Sequence, residues 1–257
     1  DVSKDAHAPI QAALYHPPGG IIRHDAVVWG YARGADRMGI EVHPHTEVLA
    51  IEVKSGEIAA VQTNRGHIET NTVVNATSGW CSTVANMVGV DLPIISHPLQ
   101  ACVTEPLKPF LDKVIVSATL HVYVSQTDRG EVVIGAEIDP YTSYNSTSTL
   151  PTLEMMASHT LELFPILEEA RVLRQWAGIC DITPDFSPII GNVPEVKGFI
   201  LTVGWGTYGF KAGPASGKCV AELISGGGIP KLIEPFALSR FYEDRLVGEK
   251  AAAAVSH

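Results

Sequence analysis

Three glycines in six positions, Gly204-Trp-Gly-Thr-Tyr-Gly209, followed by Phe210 and Lys211, form the most chemically suggestive run in this sequence. Glycine lets backbone approach a ligand closely. A helix predicted from residue 214 supplies free amides and the positive end of its dipole, and Lys211 adds a cation. Such a corner suits a flat, electron-rich ring that gains negative charge when reduced. The plainer reading is a tight turn with no ligand, against which stands the odd placing of Trp205, Tyr208 and Phe210 among glycines.

His24 lies in Gly19-Gly-Ile-Ile-Arg-His-Asp25, at the start of a predicted helix. A histidine there fits a catalytic base, a covalent attachment point or a solvated surface group. His121 and Tyr123 alternate along a predicted strand, so they share a face that lines a pocket or caps the core. Other constellations fall away. Pro44 between His43 and His45 disfavours a helical metal pair. Asp181, Thr183 and Asp185 lack the glycine and glutamate spacing of a calcium loop. No G-x-S-x-G elbow occurs. Cys81, Cys102, Cys180 and Cys219 contain no CxxC pair, which argues against a zinc site and a disulfide framework and fits a reduced, cytoplasmic compartment. No metal is expected.

The elements that must position these residues follow from periodicity. Val28, Tyr31, Ala32, Ala35 and Met38 recur at helical spacing over 26–38, with Asp25 as N-cap and Gly39 as C-cap. Strands are predicted at 40–43, 47–53, 57–63 and 66–70, the middle pair joined by the hairpin signal Lys54-Ser-Gly56. Residues 72–76 form a strand that runs into a small-residue turn and a helix over 80–88, the local shape of a nucleotide-binding element. A β-rich block follows, with strands at 99–104, 114–117, 120–125 and 131–134 and a turn at 128–130. A helix over 153–163 stops before Pro165, and a second short helix is expected over 167–173. Residues 198–203 are a buried strand, 204–211 a turn and 214–224 a helix.

The fold class read from this order is α/β with α+β: a nucleotide-type domain interrupted by an antiparallel, substrate-type sheet. The boundaries are 1–95 for a partial dinucleotide-type domain, 96–176 for the sheet and 177–257 for the return to the first domain. Of 257 residues, 46% are apolar and 18% charged, enough for a substantial core. Eighteen basic against 28 acidic residues give a net charge of −10 with no basic tract, which argues against binding a phosphate backbone. No apolar run reaches the length of a spanning helix. The sequence begins Asp-Val-Ser without Met, which reads as a processed or truncated chain or a fragment.

Residues 19–32, Pro98-Leu-Gln-Ala101, Ser187-Pro-Ile-Ile-Gly191, Gly204-Trp-Gly-Thr207, Gly209-Phe-Lys211 and the tail Ala251-Ala-Ala-Ala-Val-Ser-His257 resemble the beta subunits of heterotetrameric sarcosine oxidases. These belong to the D-amino-acid-oxidase-like flavoproteins, and the resemblance runs end to end. It implies an FAD-binding domain of the D-amino-acid-oxidase/glutathione-reductase type, interrupted by an antiparallel substrate sheet. It implies oxidation of a secondary-amine amino acid, sarcosine-like, with hydride passing to FAD N5. Electrons would then pass to a covalent FMN and to oxygen. The imine would be released toward a partner subunit that uses tetrahydrofolate, within a hetero-oligomer that binds neither nucleic acid nor membrane.

The resemblance places the FMN attachment on His24, with His16 as the alternative. It places Val48 at the adenine, Ala76 to Gly79 at the small-residue turn near the cofactor, and Gly206, Gly209 and Lys211 in the turn at the flavin's pyrimidine edge, within the stretch from Gly204 to Lys211. In that stretch Gly204, Gly206, Thr207, Tyr208, Gly209 and Phe210 bind cofactor. Lys211 is the catalytic cation, and Tyr123 a catalytic substrate-side aromatic. The family's glycine fingerprint and the arginine expected at the substrate carboxylate are not in this sequence, so the N-terminal portion of the FAD domain is absent from it. Thr77-Ser-Gly-Trp80, Tyr208 and Gly213-Pro-Ala215 depart from the family pattern near the cofactor. A dye-linked L-proline dehydrogenase beta-type subunit is the sister reading. A non-catalytic scaffold fragment is the reading of another class.

Overall fold

The computed structural model describes residues 10–207 and 209–248, the side chains of 136 and 137 apart. The first helix, α1 (His24–Arg37), carries the predicted apolar stripe yet buries no residue. Val28 and Tyr31 are 57% and 62% exposed. Asp25 is not the N-cap: that position falls to Arg23, and Asp25 sits inside the first turn with the Arg23 guanidinium 2.6 Å from its carboxylate. Gly39 does close the helix, at φ +80 with its N–H on the Asp36 carbonyl. The strand expected at 40–43 does not form. A strand exists only where a neighbour completes its ladder, and the apolar alternation of Ile40 and Val42 meets none here.

A three-stranded meander follows, β1 (Val48–Lys54), β2 (Glu57–Thr63) and β3 (Gly66–Glu69), paired in that order. Its first turn places Ser55 and Gly56 at φ +53 and +80, the left-handed pair that suits strand twist. The predicted hairpin is therefore borne out.

The second sheet joins distant parts of the chain. β4 (Val73–Asn75) runs parallel to β11 (Phe199–Val203), which pairs antiparallel with β10 (Ile189–Asn192). Phe199, Leu201 and Val203 pack one way, against α2 (Cys81–Asn86) and the meander's Ile51 and Ile58. Ile190 and Ile200 pack the other way, against Cys219 and Val220 of α4 (Gly209–Ile224). Burial on both faces is what a parallel pairing requires, and it accounts for the unbroken apolar run of β11. Helix α4 begins at Gly209, five residues before the predicted start, with Pro214 inside it. The glycine spacing hid the first turn.

The third sheet is five-stranded and antiparallel, ordered β6 (Ile115–Ser117), β7 (Val122–Gln126), β8 (Glu131–Ile138), β5 (Ile95–Pro106), β9 (Val172–Ile182). Helix α3 (Leu150–Leu163) covers one face, where Met156 and Leu163 meet Cys102, Val124 and Val132. The helix expected over 167–173 is instead a 3-10 turn at Pro165–Leu167 leading into β9. The edge of β5 takes up those residues, so tertiary pairing overrides local propensity. His121 also departs from expectation. It precedes β7 at φ +51, in the turn rather than on the strand face of Tyr123.

The segment after α4 is tied down by a buried ion pair. Arg240, 1% exposed, reaches both oxygens of Asp185 at 2.8 and 2.9 Å and the Ser187 carbonyl at 2.7 Å. Its remaining donors meet the Phe236 and Ala237 carbonyls, while Asp185 also accepts the Val247 N–H at 3.0 Å. Every charge in the pair is satisfied, so removing one partner strands the other in the core. Arg240→Met is expected to lower unfolding free energy by about 3–5 kcal/mol. Urea denaturation measures it, and a loss near zero would mean that the segment from 234 to 247 does not depend on the pair.

Candidate functional site

The ends of β4, β9 and β11 and the start of α4 enclose a cleft of about 610 Å³. Backbone geometry shapes it. Gly204 and Gly206 sit at φ +72 and +56, left-handed positions that glycine occupies without strain. A Cβ on Gly204 would lie 2.6 Å from Cγ2 of Thr183, and one on Gly209 would lie 2.5 Å from Cβ of Trp205. The glycines therefore let the turn lie flat on β9 and let Trp205 sit against the first turn of α4. On the cleft side, a Cβ on Gly213 or Gly217 would meet nothing within 4 Å, so these two keep that wall of α4 low.

Asp181 holds the turn from behind. Its carboxylate accepts the Gly204 N–H at 2.5 Å, and its carbonyl accepts the Gly206 N–H at 3.0 Å. The side chain is 1% exposed, and Asp181 also lines the cleft. Burial pushes its carboxyl above the usual carboxylate range, opposed by the amides of Gly204, Trp205 and Gly206. On the far side, Asn75 organises the turn after β4. Its amide donates to the Cys81 carbonyl at 2.9 Å, and its oxygen accepts the Thr77 hydroxyl at 2.8 Å. Ala76 and Ser78 are thereby presented to the cleft, Ser78 at φ +48.

Of the residues singled out in the sequence, Ala76, Gly206, Thr207, Gly209 and Phe210 come together around this cleft. Gly204 lies just behind, on a small void of about 10 Å³ beside Asp181 and Thr183. Lys211 is exposed on the first turn of α4 and does not line the cleft. Tyr208 lies outside the described residues, as does the tail 251–257. Gly79 is buried against Ile179, where a Cβ would come within 2.3 Å of Cγ2. Val48 packs on the core of the second sheet rather than on the cleft. His24 is exposed at the start of α1, also away from the cleft, and His16 is exposed too. Tyr123 lies across Gly135, where a Cβ would fall 2.1 Å from its ring, and burial raises its phenol. Its sheet face is the one opposite α3.

Sequence reasoning missed Asp181, having weighed it only as a metal ligand. Its partners are backbone amides more than twenty residues ahead, which no side-chain motif records. Three of the thiols are held protonated by burial, which pushes Cys81 up to about 12 and Cys102 and Cys180 up to about 11. Among the described residues, no group of three or more His, Cys, Asp or Glu side chains could hold a metal ion. Nor is any helix among them long and apolar enough to cross a membrane.

A raised carboxyl has a pH signature. Asp181 stabilises the fold fully below its unfolded value of about 3.9, and that contribution is lost as pH rises through its higher folded value. Urea titrations of wild type and Asp181→Asn should therefore diverge, with wild type losing ground to the variant as pH climbs from about 4. A difference that stays constant with pH would contradict the raised carboxyl.

Comparison with known proteins agrees with this architecture. The family described as FAD dependent oxidoreductase matches residues 2–223. The sarcosine oxidase subunit beta of Rhizobium meliloti (strain 1021) is 44% identical over 250 residues, 97% of this chain and 60% of the relative. That of an Arthrobacter species is 41% identical over 258 residues, 100% of this chain and 63% of the relative. Among solved structures, L-proline dehydrogenase from P. horikoshii superposes with TM-score 0.79 at 31% identity, covering 86% of this chain and 60% of that one. Glycine oxidase from Geobacillus kaustophilus, at 22% identity and TM-score 0.75, shares the fold over 83% of this chain and 57% of its own. The chain thus spans roughly three fifths of the length of the relatives it matches.

Proposed function

Because the chain belongs to the FAD dependent oxidoreductase family, we propose that it forms the flavin-edge and substrate-facing part of an enzyme that oxidises a secondary-amine amino acid of the sarcosine type. The observation that carries this reading is the cleft of about 610 Å³, walled by glycines and opening on the first turn of α4. Its chemistry fits FAD. Gly206, Gly209, Gly213 and Gly217 leave room for a flat ring, and the positive end of a helix dipole favours an anion. When bound, FAD accepts hydride from the carbon next to the substrate nitrogen.

This chain's residues then divide the remaining work. The α4 amides and Lys211 stabilise negative charge that grows on the flavin's pyrimidine edge. Tyr123, on the open face of the five-stranded sheet, faces substrate. In this reading 1–95 and 177–257 belong to one FAD-type domain and 96–176 to the substrate sheet, with β9 shared between them. The parallel pairing of β4 with β11 supports that division. Val48 belongs to the adenine end.

His24 is the attachment point for FMN, and its exposure at the start of α1 gives the access such a bond requires. Relatives designated as subunits support a hetero-oligomer, and four free, buried cysteines support a reducing cytoplasmic setting. L-proline is the second substrate reading, favoured by the superposition on L-proline dehydrogenase.

The test uses the full-length protein with its partner subunits, mixed anaerobically with sarcosine or with proline. Sarcosine should bleach the visible flavin band; bleaching by proline alone would transfer the reading to the dehydrogenase class. His24→Ala should lose flavin that survives denaturation, and flavin still attached in that variant would sink the attachment. Lys211→Met should slow flavin reduction about tenfold or more, and an unchanged rate would remove Lys211 from the charge-stabilising set.

A further inference from the structure

Asp181 has no part in the reading above, yet it is the buried acid nearest the glycine turn. Its side chain is 1% exposed, lies at the end of β9 and borders both the cleft and the small void behind it. Its carboxylate takes the Gly204 amide and its carbonyl takes the Gly206 amide, one residue bonding to both left-handed positions of the turn. The Gly204 amide thus meets the side chain and the Gly206 amide the main chain of the same residue. The two amides it takes are therefore not available to a ligand, and a fixed carboxylate stands directly behind the ligand's edge. The titratable groups packed against it are the thiols of Cys81 and Cys180, both held neutral by burial, and no cation compensates it within the described hydrogen bonds.

We propose that Asp181 is a positioning residue with two effects: it clamps the Gly204–Gly206 turn in the shape that receives the flavin edge, and its charge opposes electron gain there. The inference rests on the flavin reading of the cleft. An amide of the same shape can still accept from Gly204 but carries no charge, so Asn separates the two effects, whereas Ala removes the charge and the Gly204 bond and leaves the main-chain bond to Gly206.

The experiment uses the full-length holoprotein and its reconstituted apoprotein over a range of pH. FAD affinity is read by quenching of flavin fluorescence, and electron affinity by equilibrium with a reference dye. Asp181→Ala should weaken FAD about tenfold, as expected when a buried amide loses its acceptor. Asp181→Asn should keep FAD affinity within about threefold, yet shift the dye equilibrium toward reduced flavin by about tenfold. Unchanged FAD affinity in Asp181→Ala, or equal losses in both variants, would overturn the clamp. If Asp181→Ala does not fold, Asp181→Asn decides: an unmoved dye equilibrium overturns the proposal. Wild-type protein that takes up no FAD would sink the flavin reading itself, and this assignment with it.

Discussion

The parallel pairing of β4 with β11 is the constraint on which the rest depends. Val73, Val74 and Asn75 lie beside Phe199, Ile200 and Leu201, so the turn after residue 75 and the turn after residue 203 emerge at the same end of one sheet. Neither turn alone bounds a cleft. Their juxtaposition does, and it follows from strand direction: both chains leave a parallel pair at their carboxyl ends, where α/β sheets leave room for ligands. Burial on both faces then fixes the register, since Leu201 and Ile200 face opposite cores. A slip of one residue would exchange those faces and move Asn75 away from the Cys81 carbonyl.

An acidic chain with a large core must also settle the charges it buries, and three acids do so differently. Asp185 has a full ion pair with Arg240. Asp139 has neutral donors instead, the Gln100 amide at 2.6 Å and the Tyr141 and Thr152 hydroxyls at 2.9 and 3.1 Å. That network holds the start of α3 to β5. Asp181 has only backbone amides, the weakest compensation of the three, and burial raises its carboxyl accordingly. The first two acids stand away from the cleft and serve the fold. The under-compensated one stands at the cleft, as expected if local cost is tolerated where a site requires it.

The glycine turn, the strand before it and the hairpin at 54–56 were legible because local composition dictates them: left-handed positions demand glycine, and a strand buried on both faces demands an apolar run. The stripe on α1 was legible as a pattern, but its exposure was not, because periodicity reports which face is apolar and never what covers it. The misread segments share one cause. Residues 40–43 alternate like a strand without a neighbour to pair with, whereas 172–173 became strand because β5 offered an edge. His121 read as strand because its neighbours do, yet the turn before β7 needs a positive φ there. Of the cleft lining, Gly206, Thr207, Gly209 and Phe210 could be read from the sequence. Asp181 could not, since its partners are main-chain groups brought near only by the sheet.

The position of that acid constrains how the cleft manages charge. Amides at 204 and 206 belong to a glycine turn that the sequence alone marks for close approach to a ligand. In the folded chain they face Asp181 instead. In the proposed flavin reading, favourable potential for a reduced ring comes from the other wall, the first turn of α4, where Gly209 begins the helix. The carboxylate acts against that potential from behind the turn. On the proposed reading such a cleft would hold a flavin by shape and by the helix start, with its electron affinity set by the balance between a helix dipole on one side and a buried acid on the other. Displacing the turn by one residue would break the Gly204 and Gly206 bonds to Asp181 and shift the start of α4 together, so these parts are structurally coupled.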